Sequence, residues 1–186
     1  MNNFFSSVTF DDVANEPFEY DHTSFHPLFQ SFVEGIPGKE QYRLYNYINK
    51  HFPYTHLTEF GVEYGTSLRV LSHNKTAYAF DIVDNRYGEA KTLPNVSFTL
   101  CDAIDAVYLS WLEISSSQLI HFDTVHNGLH EHTWLSTMKK FGYHGTILFD
   151  DIYVCPDMIQ WWTNISDEKY DLTFVGHHTG TGVVIL

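Results

Sequence analysis

From residue 38 onward, apolar positions switch between two periods. Short apolar runs rich in aromatic and β-branched residues predict strands at 56–60, 76–80, 96–100, 118–122 and 146–149. Stretches with a period near 3.6 predict helices at 39–51, 66–72, 103–112, 128–141 and 156–165. In the first helix Tyr42, Tyr45, Ile48 and Phe52 share a face, and Pro53 stops it. Pro156 opens the last one, where its missing N–H costs little. The chain thus reads as five βα steps. Two further strands, 172–175 and 183–186, are joined by His177-His178-Thr179-Gly180-Thr181-Gly182 with no helix between them, which predicts an antiparallel hairpin. This order defines an α/β class: a doubly wound, mostly parallel seven-stranded sheet with helices on both faces and a terminal antiparallel hairpin.

Residues 1–37 follow neither period. They mix Phe with acidic residues, His and Asn, and Pro17, Pro27 and Pro37 interrupt them. A loosely structured arm is expected, with one short helix at 27–34. Phe25, Phe29 and Phe32 are costly to leave in water, so the arm is a candidate lid over a pocket. The division is therefore an arm or lid at 1–37 and one domain at 38–186, with no linker inside it.

Composition narrows the partners. The 186 residues, 44% hydrophobic and 18% charged, suit one domain with one core. Ten Lys and Arg against 23 Asp and Glu give a net charge of −13, which disfavours nucleic acid and anionic membrane surfaces. Cys101 and Cys155 are read as reduced thiols. With no basic leader and no run near the ~20 apolar residues of a membrane span, a cytoplasmic protein is expected. A homo-oligomer is compatible with the sequence.

The candidate chemistry collects at the strand ends. Glu59, Asp81, Asp102, Asp123 and the pair Asp150-Asp151 each stand at or just past the end of a predicted strand. Ligands of open α/β sheets bind outside the carboxyl ends of the strands. Helix capping by Asp accounts for one or two of these positions but poorly for all. The first turn is Glu59-Phe60-Gly61-Val62-Glu63-Tyr64-Gly65-Thr66-Ser67. Glu63 stands where a dinucleotide fingerprint has its middle glycine, and its charge would repel a pyrophosphate. That disfavours NAD and FAD. Asp81, about 20 residues on, suits a ribose diol.

These residues resemble class I S-adenosylmethionine-dependent methyltransferases. The turn 59–67 is similar to that of the subgroup containing macrolide-sugar O-methyltransferases and cephalosporin-hydroxylase-like proteins. The resemblance covers roughly residues 40–186, and the predicted hairpin matches that fold's antiparallel seventh strand. It implies that Glu59, Gly61, Glu63, Gly65 and Ser67 form the cofactor turn, with Gly61 and Gly65 near the methionine part. It also implies Asp81 on the ribose and Asp102 near the adenine.

The second constellation is Asp123-Thr124-Val125-His126 with Asp150-Asp151. Three carboxylates converging at neighbouring strand ends call for a cation, and oxygen ligands suit Mg²⁺ or another hard divalent ion. The pattern resembles the metal-dependent sugar O-methyltransferases. That resemblance implies Asp123, Asp150 and Asp151 as metal ligands and His126 as the catalytic base, kept neutral by the cation. The implied activity is Mg²⁺-dependent O-methylation of a small hydroxylated acceptor such as a sugar. Two alternatives stand beside it: a non-catalytic cofactor-binding module, and a metal-dependent oxygenase, which one His among several Asp disfavours. His126, His130 and His132 without a nearby Cys disfavour zinc. His177 and His178 read as surface or hairpin residues. Of Trp161 and Trp162, one is expected in the core and the other is a pocket candidate.

Overall fold

The computed structural model describes residues 4–33 and 35–186, the side chains of His22 and Phe32 excepted. Seven strands form one sheet: β1 His56–Phe60, β2 Thr76–Asp81, β3 Val96–Leu100, β4 Leu119–Phe122, β5 Thr146–Asp150, β6 Glu168–Asp171 and β7 Thr181–Ile185. Their spatial order is β3-β2-β1-β4-β5-β7-β6. The first five are parallel, and β7 runs antiparallel between β5 and β6. The order reverses between β1 and β4, so a crevice opens at their carboxyl ends.

Alternation along each central strand divides the core in two. Leu57, Leu119, Leu148 and Val183 face one layer, and Phe60, Ile120, Phe149 and Val184 face the other. The first layer holds α4 (Tyr42–His51) and α5 (Thr66–Leu71). The second holds α6 (Ala103–Leu109), α7 (Trp111–Ser116), α8 (Leu129–Phe141) and α9 (Pro156–Asn164). Trp161 and Trp162 are both buried in this second layer.

Three expectations change. The sixth strand is not at 172–175 but at Glu168–Asp171. As an edge strand it is only partly covered and reads as polar, while Leu172 and Val175 fill the first core layer from a turn. The helix expected at 103–112 is broken at Ser110, whose non-helical dihedrals (φ −129°, ψ 34°) end α6 and precede α7.

The arm is the third change, for it is packed rather than loose. It carries α1 (Phe4–Ser7), α2 (Phe10–Asn15), a 3-10 turn at His22–Ser24 and α3 (Gln30–Val33). Thr9 and Asp12 form a capping box that starts α2. Phe5, Val8, Val13, Phe25 and Val33 enter the first core layer. Glu16 pairs with Lys50 at 2.8 Å and His51 at 2.7 Å, fastening the arm to α4. The part expected of Phe32 in a lid lies outside the described residues. Among the described residues, no helix is long and apolar enough to cross a membrane.

Candidate active site

A cleft of about 700 Å³ opens where the strand order reverses. Its walls come from the turn after β1, the ends of β2, β4 and β5, the start of α4 and the loop before β7. Glu40, Glu63, Asp81, Asp102, Asp123, Asp150 and Asp151 line it, with His126, His130, His177 and His178, and no Lys or Arg among the described residues. Phe29 of the arm reaches its edge, and His26 stacks on Tyr64 at 3.9 Å.

The turn after β1 is shaped by two glycines with positive φ, Gly61 (79°) and Gly65 (78°). A Cβ on Gly61 would stand 1.5 Å from the Asp123 carbonyl oxygen, so the glycine lets the ends of β1 and β4 close on each other. A Cβ on Gly65 would meet Ala90 at 2.6 Å, and Gly65 does not line the cleft. Packing of backbone against backbone and side chain thus explains both glycines.

Asp81 ties this turn down. Its Oδ2 accepts from the backbone N–H of Val62 (2.7 Å) and Glu63 (2.9 Å), and its Oδ1 from that of Val83 (3.1 Å). Glu63 sits at φ 47°, a conformation those bonds hold. Burial first, then the charges of Asp123 and Asp81, push its carboxyl up. Asp102 lines the cleft while its Oδ1 caps α6 through Ile104 N–H at 2.8 Å.

Glu59 departs from the strand-end pattern. It is 0% exposed, faces the first core layer and lies outside the cleft lining. It accepts from Ser67 Oγ and contacts His121 Nδ1 at 3.1 Å, whose Nε2 lies 2.9 Å from Tyr45 Oη. Burial raises its pKa, against the opposing pull of His121. Only Ser67, of this buried chain, reaches the cleft wall.

At the ends of β4 and β5, Asp123, His126, Asp150 and Asp151 come together. His126 Nε2 lies 2.9 Å from Asp123 Oδ1 and 3.7 Å from Asp151 Oδ2. Its backbone sits at φ 54°, with its N–H donating to buried Glu131 of α8 at 2.9 Å. Burial pulls its pKa down, but the hydrogen bond and charge of Asp123, with Asp151 and Glu131, hold it above the usual value. Asp150 is 4% exposed. Gln41 Nε2 donates to its Oδ2 at 3.1 Å, while its Oδ1 has no hydrogen-bond partner. Burial, then Asp123 and Asp151, push its pKa well up. Asp151 goes the other way. Burial opposes ionisation, but His177, Thr179 and His126 hold its carboxyl below its usual range.

His177 is the residue that sequence reasoning missed. Its Nδ1 lies 3.1 Å from Asp151 Oδ1 and 3.7 Å from Asp150 Oδ1. Asp150, Asp151 and His177 offer donor atoms all within 4.8 Å of one another, the one such group among the described residues. Asp123 lies outside it, beside His126. The signal was the hairpin itself. Register pairs Asp150 with Thr181, so the residues before β7 must lie over the end of β5. Of the other histidines, His130 contacts Thr124 at 3.0 Å, and His132 turns into a separate groove between α8 and α9.

No protein-family model and no curated protein matches the chain. Solved structures do. SAH-bound methyltransferase PaMTH1 of Podospora anserina superposes with a TM-score of 0.58 at 12% identity, over 78% of this chain and 77% of that one. A protein of Klebsiella pneumoniae designated an O-methyltransferase gives 0.52 at 13% identity, over 76% and 78%. MycE of the mycinamycin pathway, with Mg, SAH and mycinamycin VI, gives 0.46 at 19% identity, a likeness too weak to argue from. This chain spans 33% of that longer one. The chain has the Rossmann-like fold of the class I methyltransferases.

Proposed function

We propose that this protein is a metal-assisted, S-adenosylmethionine-dependent O-methyltransferase acting on a small hydroxylated molecule such as a sugar. One observation carries the reading. A His–Asp pair, His126 on Asp123, stands in the same cleft as the carboxylates of Asp150 and Asp151. The SAH bound to PaMTH1 supports the choice of cofactor.

The residues fit a cation, because Asp150 presents a buried carboxylate oxygen with no hydrogen-bond partner. An ionised carboxylate in that setting is costly unless a positive charge faces it. When bound, S-adenosylmethionine would supply the methyl group, and a cation held by the Asp150 and Asp151 carboxylates would supply Lewis acidity toward the acceptor hydroxyl. The chain's own residues do the rest. Asp81 lines the cleft beside the turn, and its Oδ1, which accepts one backbone N–H, keeps acceptor capacity for a ribose hydroxyl. The acidic wall, without Lys or Arg, suits a cofactor carrying a sulfonium and an ammonium. His126 takes the hydroxyl proton, and Asp123 orients its ring and stabilises the imidazolium that forms. About 700 Å³ has room for a cofactor and a small acceptor.

The test is transfer of labelled methyl from S-adenosylmethionine to a panel of sugars and phenols, with and without EDTA. Transfer to a hydroxyl that EDTA abolishes is expected. Transfer that persists in EDTA would leave the carboxylates without a metal role.

A further inference from the structure

We infer that His177 is a ligand of the cation, with Asp150 and Asp151, and that the site takes a first-row transition ion in preference to Mg²⁺. The inference rests on the metal-assisted reading above and changes both the ligand set and the ion.

Donors about 2.0–2.3 Å from one ion lie at most about 4.5 Å apart. His177 Nδ1 meets that limit with both carboxylates, at 3.1 Å from Asp151 Oδ1 and 3.7 Å from Asp150 Oδ1. The Asp150 oxygen involved is the one left without a hydrogen bond, on a side chain 4% exposed, because Gln41 holds its other oxygen. The far nitrogen of His177 faces Glu40 Oε2 at 3.9 Å. At that distance Glu40 adds negative charge beside the ring without a hydrogen bond to it. Thr179 Oγ1 sits between Asp151 and His177 and fixes both. Asp123, paired with His126, is then free to serve the base instead of the metal.

A nitrogen donor changes the ion. Mg²⁺ takes oxygen ligands and keeps much of its water, whereas imidazole favours the first-row transition metals.

Pulsed EPR of the full chain loaded with Mn²⁺ reads the ligand directly. Nitrogen-14 modulation is expected in the wild type, kept in His126→Gln and lost in His177→Gln. Calorimetric titration should show Co²⁺ binding at least tenfold tighter than Mg²⁺. His177→Gln, which removes the nitrogen donor itself, should weaken Co²⁺ by about tenfold or more and Mg²⁺ far less. Mn²⁺ bound without nitrogen modulation, or modulation lost in His126→Gln instead, overturns the ligand set and leaves an all-oxygen metal site standing. Failure of every ion to bind overturns the metal-assisted reading as well. Should His177→Gln not fold, the wild type and His126→Gln still decide the matter.

Discussion

At the scale of single residues, the site concentrates groups held against their preferences. Asp150 is the sharpest case. Its folded pKa is raised by burial and by its acidic neighbours. Its native state therefore keeps a proton that the unfolded chain gives up near pH 3.9. Stability must fall as pH rises from there through the raised native value, by at most about 1.4 kcal/mol per pH unit for one proton. Asp150→Asn should remove that slope and make the metal-free protein more stable at neutral pH, as read from urea melts at several pH values. The same variant should lose the stabilisation that a divalent ion gives the wild type. His126 carries the second prediction. His126→Ala should lower turnover by roughly 10²–10⁴, the range for a general base, with S-adenosylmethionine binding little changed in calorimetry. Turnover at the wild-type level would move the base elsewhere. Part of this was legible in the chain. An Asp and a His three apart at a strand end, and an acidic pair at the next, announce a shared cleft. Glu59 was misleading because two residues of β1 decide the face, and position 59 shares that of Leu57. Asp102 serves as a cap, the common role for Asp after a strand.

At the scale of elements, turns and edges decide what a pattern cannot. Gly61 stands where β1 and β4 converge, with the Asp123 carbonyl in the space a side chain would need. Gly61→Ala should destabilise by roughly 2–5 kcal/mol, combining backbone strain with overpacking, and should displace Asp123 from His126. Chemical denaturation measures the first effect, and an unchanged midpoint would refute the close approach. The arm carries a parallel test. Phe25 is 2% exposed, with the Arg69 guanidinium 4.0 Å from its ring centre. Phe25→Ala should cost about 3–5 kcal/mol, as for buried aromatics generally, whereas a loose arm would lose almost nothing. Neither the arm nor β6 was legible, for opposite reasons. The arm's helices are too short to show a period, and β6 is an edge strand whose Glu, Lys, Tyr and Asp read as loop. Strand β5 was legible because burial on both faces leaves a continuous apolar run at Ile147-Leu148-Phe149.

At the scale of the whole molecule, topology converts the order of elements into a site. Once the strands alternate with helices and reverse between β1 and β4, one cleft must gather their carboxyl ends. The antiparallel β7 adds a second consequence, for its pairing sets the loop before it, with His177, over the end of β5. Sequence spacing hides that residue, 26 positions beyond Asp151, and only the strand register reveals it. The net charge of −13 and the acidic cleft wall set the sign of the ligand that the molecule favours. The central claim is that this wall binds S-adenosylmethionine across the turn pinned by Asp81. Calorimetric titration of the full chain with S-adenosylmethionine tests it most directly, with Asp81→Asn as the companion. The change keeps one acceptor oxygen for the N–H groups of Val62 and Glu63, and it removes the charge and the Oδ1 acceptor proposed for the ribose. One molecule bound per chain is expected, with affinity falling at least tenfold in Asp81→Asn. No binding by the wild type, or equal affinity in both proteins, would contradict the account.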